Sequence, residues 1–446
     1  MIKIAKFGGS SLADANQYRK VKEIIKSDEA RRFIVVSAAG KRNKEDHKIT
    51  DLLFLCNAHI RYGVPCDSIL DILEERLLEI SNDLHLKCDL HDEIKEFRNH
   101  ITKLSLDELV SRGEYFSAKL LADYLGYSFV DAKDVIYFRY DGSFDEEKSQ
   151  AALSKILETN THIVVPGFYG SLPDGKIKTM ARGGSDITGS YMASMLDADV
   201  YENWTDVEGI LMADPRIVHK PRRIEKLTYT ELRELSYMGA NVLHEDAIAP
   251  IKDKNIPINI KNTNNPDNPG TIIVESVNDQ DSQDGVVTGI AGRKDFCVVS
   301  IYKNHMSTEI GIIAKALRIF EKYRVSIEHI PSGIDSFSIV VDRNEVKDAI
   351  YDIVSEIKEV CVPDHIKVIE DIALIATVGR NMSNRPGISG KLFATLGDHG
   401  INIRMIAQGS DEINIIVGVE NKDFARTVKT IYENFIADDN IELVNA

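Results

Sequence analysis

Short apolar runs alternate with longer stretches in which apolar residues recur every three or four positions, from the N-terminus to about residue 285. The runs FIVVSA (33–38), HIVVPGF (162–168), VYENW (200–204) and IPINI (256–260) read as buried strands, and 67–80, 106–125 and 146–158 read as helices. Strand–helix alternation of this kind implies an α/β sandwich around a largely parallel sheet. Ligands then collect outside the carboxyl ends of the strands.

The first strand is followed at once by candidate chemistry. In MIKIAKFGGSSLAD, the apolar Ile2, Ile4 and Ala5 precede a lysine, two glycines, serines and a helix-compatible stretch. Glycines let backbone N–H groups approach a ligand closely, and helix N-termini favour anions. A phosphate site with Lys6 at hand is one reading; a structural strand-to-helix corner is the other.

A polar stretch, VNDQDSQDG (277–285), marks a linker. Beyond it the sequence repeats at an offset of 76 residues. Met306, Ser307, Gly311 and Lys315 meet Met382, Ser383, Gly387 and Lys391, and Ile327, Ile330, Gly333, Asp335 and Ile339 meet Ile403, Ile406, Gly409, Asp411 and Ile415. Each copy reads β-α-β-β-α-β, a ferredoxin-like module. Two copies make no solenoid, so a paired regulatory appendage is expected.

Composition narrows the field. A net charge of −16 argues against a general nucleic-acid or anionic-membrane binder. No apolar run is long enough to span a bilayer. The five cysteines are odd in number and form no CxxC, which suits reduced thiols in a cytoplasm. His85, Cys88 and His91 recur at a spacing of three, but no fourth ligand accompanies them, and a solvated helix face is the better reading than zinc.

Four further stretches carry candidate chemistry. In SRGEYFSAKLLA, Glu114 is expected at or just before a helix start, where it either binds a ligand ammonium group or complements the helix dipole. In TMARGGSDITGS, Arg182 precedes a glycine pair and a helix that Ser185 or Asp186 can cap. A guanidinium there suits a bidentate grip on a carboxylate. In NWTDVEGILMADPRIVHKPRR, Thr205 and Asp206 follow a strand, and residues 216–223 form a basic island fit for a polyanion. MGANVLHEDAIAP (238–250) reads as helical near the same strand ends. No GxxxxGK[ST], GxGxxG, GxSxG, HRD or DFG motif is present, which excludes P-loop enzymes and lends no support to Rossmann cofactor sites or protein kinases.

Taken in order, KFGGSSLAD, SRGE, ARGGSD, WTDVEGI with ADPR, and GANVLH resemble the aspartokinases, and the tandem repeat resembles the pair of ACT domains that follow the catalytic part in that family. The resemblance implies an α/β amino-acid kinase fold, three-layer αβα with a mainly parallel sheet, followed by two ferredoxin-like ACT domains (α+β). It places the kinase domain at 1–285, the first ACT domain at 292–370 with 436–446 as a completing segment, and the second at 371–435. No fused homoserine dehydrogenase half, found in some relatives, is expected within this chain.

The implied reaction is ATP + L-aspartate → 4-phospho-L-aspartate + ADP, the entry to lysine, threonine and methionine biosynthesis. Carried over by motif, Lys6 neutralises the transferring phosphoryl group and Gly8, Gly9 and Ser10 line the phosphate path. Glu114 holds the substrate ammonium and Arg182 its α-carboxylate, while Ser185 and Asp186 position substrate and Lys6. Ser37 and Thr50 match substrate-side positions, and Thr205, Asp206 and Arg216 face the nucleotide. ATP and Mg²⁺ are the implied cofactors, the metal held mainly by the phosphates and not by a protein site.

The family's ACT domains imply an amino-acid effector, with lysine expected and threonine its rival, at Met306, Gly311, Ile327 and Glu328. Ile327 and Glu328 are expected on a strand. A cytoplasmic homo-oligomer, at least a dimer, is expected. The chain departs from the family's GAKVLHP at Asn241 and Glu245 and from its usual aromatic at Leu211. Two rival functions are a kinase of another amino-acid carboxylate, such as glutamate, and a catalytically inactive amino-acid sensor.

Overall fold

The computed structural model describes every residue except 89, 182, 241, 242, 244, 278–284, 384 and 437–446. The linker stretch, Arg182, Asn241 and nearly all of the proposed completing segment therefore lie outside the described residues. The chain forms two compact units: Met1–Ile210, Arg223–Thr230 and Val242–Val277 make the first, and Leu211–Arg222, Glu231–Asn241 and Asn278–Ala446 the second.

The first unit contains β1 (Lys3–Phe7), β2 (Arg31–Val36), β3 (Ser128–Phe129), β4 (Ile163–Pro166), the hairpin β5 (Tyr169–Ser171) and β6 (Ile177–Thr179), β7 (Val200–Thr205), β8 (Lys226–Thr228), β9 (Ile258–Asn262) and β10 (Thr271–Val274). Eight of these form one sheet in the order β3-β4-β2-β1-β7-β9-β10-β8. All neighbours are parallel except β9 and β10. The central strands are buried along almost their whole length, which is why they read as continuous apolar runs.

Alternation along β1 divides its side chains. Ala5 and Phe7 enter a core with Ile34, Val36 and Trp204 and the helices that follow β2. Ile4 and Lys6 take the opposite face. The helix Gly184–Met195 packs there: a Cβ on Gly189 would come within 2.6 Å of the Tyr201 ring, and the Tyr201 hydroxyl donates to the Asp186 carbonyl at 3.1 Å.

The helix Leu106–Leu125 begins at a capping box. Ser105 Oγ accepts from the Glu108 N–H at 3.2 Å, while the Ser105 N–H donates to Glu108 Oε2 at 2.9 Å. It ends at Gly126 in the left-handed region at φ 70°. Because initiation occurs at Ser105, Glu114 lies in the middle of this helix and not at its start. The dipole explanation for Glu114 therefore fails.

The second unit is built on β11 (Gly289–Tyr302), β12 (Ser336–Asp342), β13 (His365–Val378), β14 (Met405–Gln408) and β15 (Asn414–Glu420), an antiparallel sheet ordered β12-β11-β13-β15-β14. The long strands β11 and β13 pair with each other along both repeats, so the position between 370 and 371 falls inside β13. The repeat offset reappears in the helices: Ile312–Lys322 and Ile388–Asp398 have matching bounds, each entered through a left-handed glycine, Gly311 (φ 84°) and Gly387 (φ 92°). The strand expected through Ile327 and Glu328 is reduced to isolated bridges, His329 with Val340 and Ser332 with Phe337. Pro331 lacks an N–H and interrupts the ladder there.

The helix Tyr229–Tyr237 carries Glu231, fully buried within the second unit. Its carboxylate accepts from Thr288 Oγ1 at 2.6 Å and from the Arg380 N–H and guanidinium at 2.9 and 3.1 Å. These contacts group 231–241 with the repeats, although the sequence pattern runs it with the preceding α/β stretch.

Replacing the cap is expected to weaken the first unit measurably. Ser105→Ala should cost about 1 kcal/mol, read as a lower denaturant midpoint with an unchanged slope.

Candidate active site

The carboxyl ends of the parallel strands gather residues from widely separated stretches. Lys6 is 7% exposed, and its Nζ lies 2.5 Å from Asp186 Oδ1 on the helix Gly184–Met195. Asn203, in register with Lys6 across the β1–β7 pairing, completes the cluster. Its Nδ2 donates to Asp186 Oδ1 at 2.8 Å, and its Oδ1 accepts from Lys6 Nζ at 3.5 Å.

Backbone closeness explains the glycines behind Lys6. The Gly8 N–H donates to the Trp204 carbonyl at 2.9 Å, and the Gly9 carbonyl accepts from the Gly40 N–H at 2.7 Å. A Cβ on Gly9 would lie 2.6 Å from the Ala38 oxygen, so a larger residue would force the loops apart. Ser10 follows in a short turn, Gly9–Leu12. The Ser37 N–H donates to the Phe7 carbonyl at 3.0 Å, which sets the exit of β2 beside that of β1. The Ile49 N–H donates to the Ala39 carbonyl at 3.1 Å, and Thr50 stands in the first turn of the helix Ile49–Arg61 bordering this loop.

Glu114 approaches the same loop from below. It is 4% exposed, and a Cβ on its neighbour Gly113 would come within 2.8 Å of Ala38 Cβ. Burial pushes its carboxyl up to about 8; the Ala38 N–H and the Lys6 charge pull it back only in part. Its Oε2 is buried with no hydrogen-bond partner among the described residues. A buried orphan acceptor is costly unless something fills the position.

The helix Gly184–Met195 is capped by Gly183 at φ 77°, with no side-chain cap. Ser185 and Asp186 are therefore not its caps, which removes the structural one of the two readings that the sequence left open. The left-handed turn at Gly183 does that work and leaves both side chains for the site. Ser185 is buried against Gly167, whose Cβ would come within 2.7 Å of it.

Thr205 ends β7, and its hydroxyl donates to Asp206 Oδ1 at 3.2 Å. Arg216 belongs to the second unit, exposed, with its guanidinium closed on Asp214 at 2.6 and 3.0 Å. The expected helix over 238–250 is absent from the described part. Gly239 (φ 106°) follows the helix Tyr229–Tyr237, and only the short turns Glu245–Ala247 and Ala249–Lys252 form.

In the second unit, Met306 is buried in the turn Met306–Thr308 that leads toward Gly311. Glu328 does pair with a cation, the chain's own Arg293 at 3.5 Å, which also holds Asp342 at 2.7 Å.

The sequence reading missed Asn203, Gly40 and Gly167. Asn203 carried a signal: an amide in the middle of a buried strand requires partners. The glycines are legible only once the loops that touch them are placed.

Glycine loops in close backbone contact behind a buried lysine, with a buried carboxyl that leaves one oxygen unpartnered among the described residues, suit a small-molecule kinase on an α/β sheet. The match to the amino acid kinase family over residues 1–262 and to an ACT domain over 375–435 agrees with this class. The chain is 37% identical to aspartokinase 3 of Bacillus subtilis over 98% of its length and 99% of that protein. It resembles the crystal structure of Clostridium acetobutylicum aspartate kinase with a TM-score of 0.89 and 48% identity, covering 97% of this chain and 99% of that one. The Escherichia coli aspartokinase III structure in complex with aspartate and ADP follows at a TM-score of 0.76 and 25% identity, covering 97% and 99%. The chain belongs to the aspartokinase family, and it is an enzyme.

Glu114 makes stability pH-dependent in a defined sense. Its carboxyl is raised from 4.5 to about 8 on folding, so the folded state holds the proton more tightly. Its contribution is therefore lost as pH rises from about 4.5 to about 8. Glu114→Gln should gain thermal stability relative to the parent across that window, with no gain below pH 4, in melting scans at stepped pH.

Proposed function

We propose that the chain transfers the γ-phosphoryl group of ATP to the β-carboxylate of L-aspartate, yielding 4-phospho-L-aspartate and ADP. The observation that carries this reading is the buried Lys6 ammonium at the strand ends, countered by Asp186 and set near Glu114, whose Oε2 has no partner among the described residues. The acceptor carboxylate has an ordinary pKa of about 3.9, so it arrives ionised and needs no general base. One carboxylate oxygen attacks the γ-phosphorus as the bond to the bridging oxygen of ADP breaks.

The difficulty is bringing an anion to a polyanion, and it is met by charge and position. Lys6 neutralises the transferring group, with Gly8, Gly9 and Ser10 offering backbone along the phosphate path. Asp186 organises Lys6 and is not a base. Glu114 takes the substrate ammonium, losing its proton as it does so, and Arg182 takes the α-carboxylate. Ser37, Thr50 and Ser185 border the substrate, and Thr205 and Asp206 the nucleotide. Arg216, assigned to the nucleotide by motif, is closed on Asp214 within the second unit. Magnesium carried on the phosphates would supply further charge neutralisation. Among the described residues no group of three His, Cys, Asp or Glu side chains is set to hold a metal.

Regulation belongs to the same reading. The E. coli aspartokinase III structure in complex with lysine and aspartate supports an amino-acid effector, lysine in the first instance; its site in this chain, carried over by motif, would be Met306, Gly311, Ile327 and Glu328. Glu328 would exchange Arg293 for an effector ammonium. A homo-oligomer acting in the cytoplasm at the entry to lysine, threonine and methionine biosynthesis completes the proposal. No described helix is long and apolar enough to cross a membrane.

Lys6→Ala should lower kcat on the order of 10²–10³, the scale of losing one preorganised donor; near-normal turnover would remove Lys6 from this role. ADP release coupled to a reporter, with aspartate against glutamate, tests the acceptor. Aspartate should be turned over and glutamate not; the reverse, or silence with both, contradicts the proposal. The apparent KM for aspartate should fall as pH rises toward 8, because Glu114 must give up its proton to bind an ammonium group.

A further inference from the structure

We propose that Asn203 is a positioning residue for phosphoryl transfer, holding Lys6 and Asp186 in one fixed arrangement; this rests on the reading of Lys6 given above. Three observations converge on it. Asn203 is 3% exposed at the centre of the sheet, so its amide has no water to satisfy it. It is the register partner of Lys6 on the adjacent parallel strand, so the two side chains leave the same face side by side. Both halves of its amide are engaged, Nδ2 with Asp186 Oδ1 at 2.8 Å and Oδ1 with Lys6 Nζ at 3.5 Å.

The chemistry allows only one orientation. An ionised carboxylate accepts and never donates, so the NH₂ end must face Asp186; an ammonium only donates, so the carbonyl end must face Lys6. The side chain of Asn203 is short and anchored in the strand, whereas lysine has a flexible four-carbon stem. The amide thus restrains the mobile partner. It also keeps Asp186 oriented when the Lys6 ammonium turns toward a phosphate oxygen, a moment at which a carboxylate paired with lysine alone would follow it.

Three variants and one control test this. Asn203→Leu keeps the volume and removes both hydrogen bonds; kcat should fall about tenfold, the scale of a small misplacement of a reacting group, while KM for aspartate and ATP stays within about twofold. Asn203→Asp keeps the shape and puts a second carboxyl against Asp186. The two then share a proton, and the protonated one can donate as the amide did. Its kcat should lie nearest the parent at pH 6 and fall as pH rises to 8.5, a slope that the parent lacks. Asn203→Ser, which can still donate, should recover part of the loss seen with leucine.

Lys6→Ala is the control. If Lys6→Ala is inactive while every Asn203 variant stays within twofold of the parent in kcat with an unchanged pH profile, Asn203 is overturned as a positioning residue and the active-site reading stands. If Lys6→Ala turns over normally, the active-site reading falls and this proposal with it. Should Asn203→Leu fail to fold, as its thermal melt would reveal, the isosteric Asn203→Asp profile decides: a pH-independent kcat ratio to the parent overturns the proposal.

Discussion

A lysine ammonium held out of water against a single carboxylate is the interaction on which the catalytic unit depends. Taking either charge from water alone costs several kcal/mol, and only a close partner with further hydrogen bonds offsets it. The parallel register that sets Lys6 beside Asn203, and the helix that lays Asp186 over both, are the fold's answer. Such an arrangement is also poised. On the proposed reading, a phosphate arriving at Gly8 and Gly9 would offer the ammonium a second anion, in a buried place where charge interactions are strong.

The opposite condition holds at Glu114. That carboxyl is buried without a full set of partners and keeps its proton well above the usual carboxylate range. Groups left unsatisfied in a folded protein concentrate where ligands bind. Lys6 and Glu114 thus differ in kind. One is a charge with its counter-charge present, the other a buried carboxyl with one oxygen left open among the described residues. Their joint presence around the Ala38 loop is what an α-amino acid bearing a second carboxylate would need, its ammonium at one end and its reacting anion at the other.

Much of this was legible in the chain, and the remainder has identifiable reasons for being hidden. The β1 corner showed because glycines and a lysine follow a buried strand, and the repeat showed because the helices Ile312–Lys322 and Ile388–Asp398 begin with the same glycine. The depth of Glu114 was missed although the 106–125 periodicity reads as a helix: SRGE looks like a helix start, whereas Ser105 and Glu108 set that start nine residues upstream. The capping alternative for Ser185 and Asp186 falls because Gly183 adopts a left-handed conformation that propensity rules for side-chain caps do not weigh. Arg216 looked available because it counts with the basic island 216–223, while its partner Asp214 stands just outside that run. Glu231 gave no sign of grouping with the repeats, since its partner Arg380 lies 149 residues on. Contacts at that separation are set by packing, not by local pattern.

A crystal structure of this chain with aspartate and a non-hydrolysable ATP analogue tests the central claim most directly. Lys6 Nζ should lie within hydrogen-bonding distance of a γ-phosphate oxygen, with the aspartate ammonium on the Glu114 carboxylate and Asp186 still held by Asn203. Phosphates seated in a cavity that Lys6 does not reach would contradict the account.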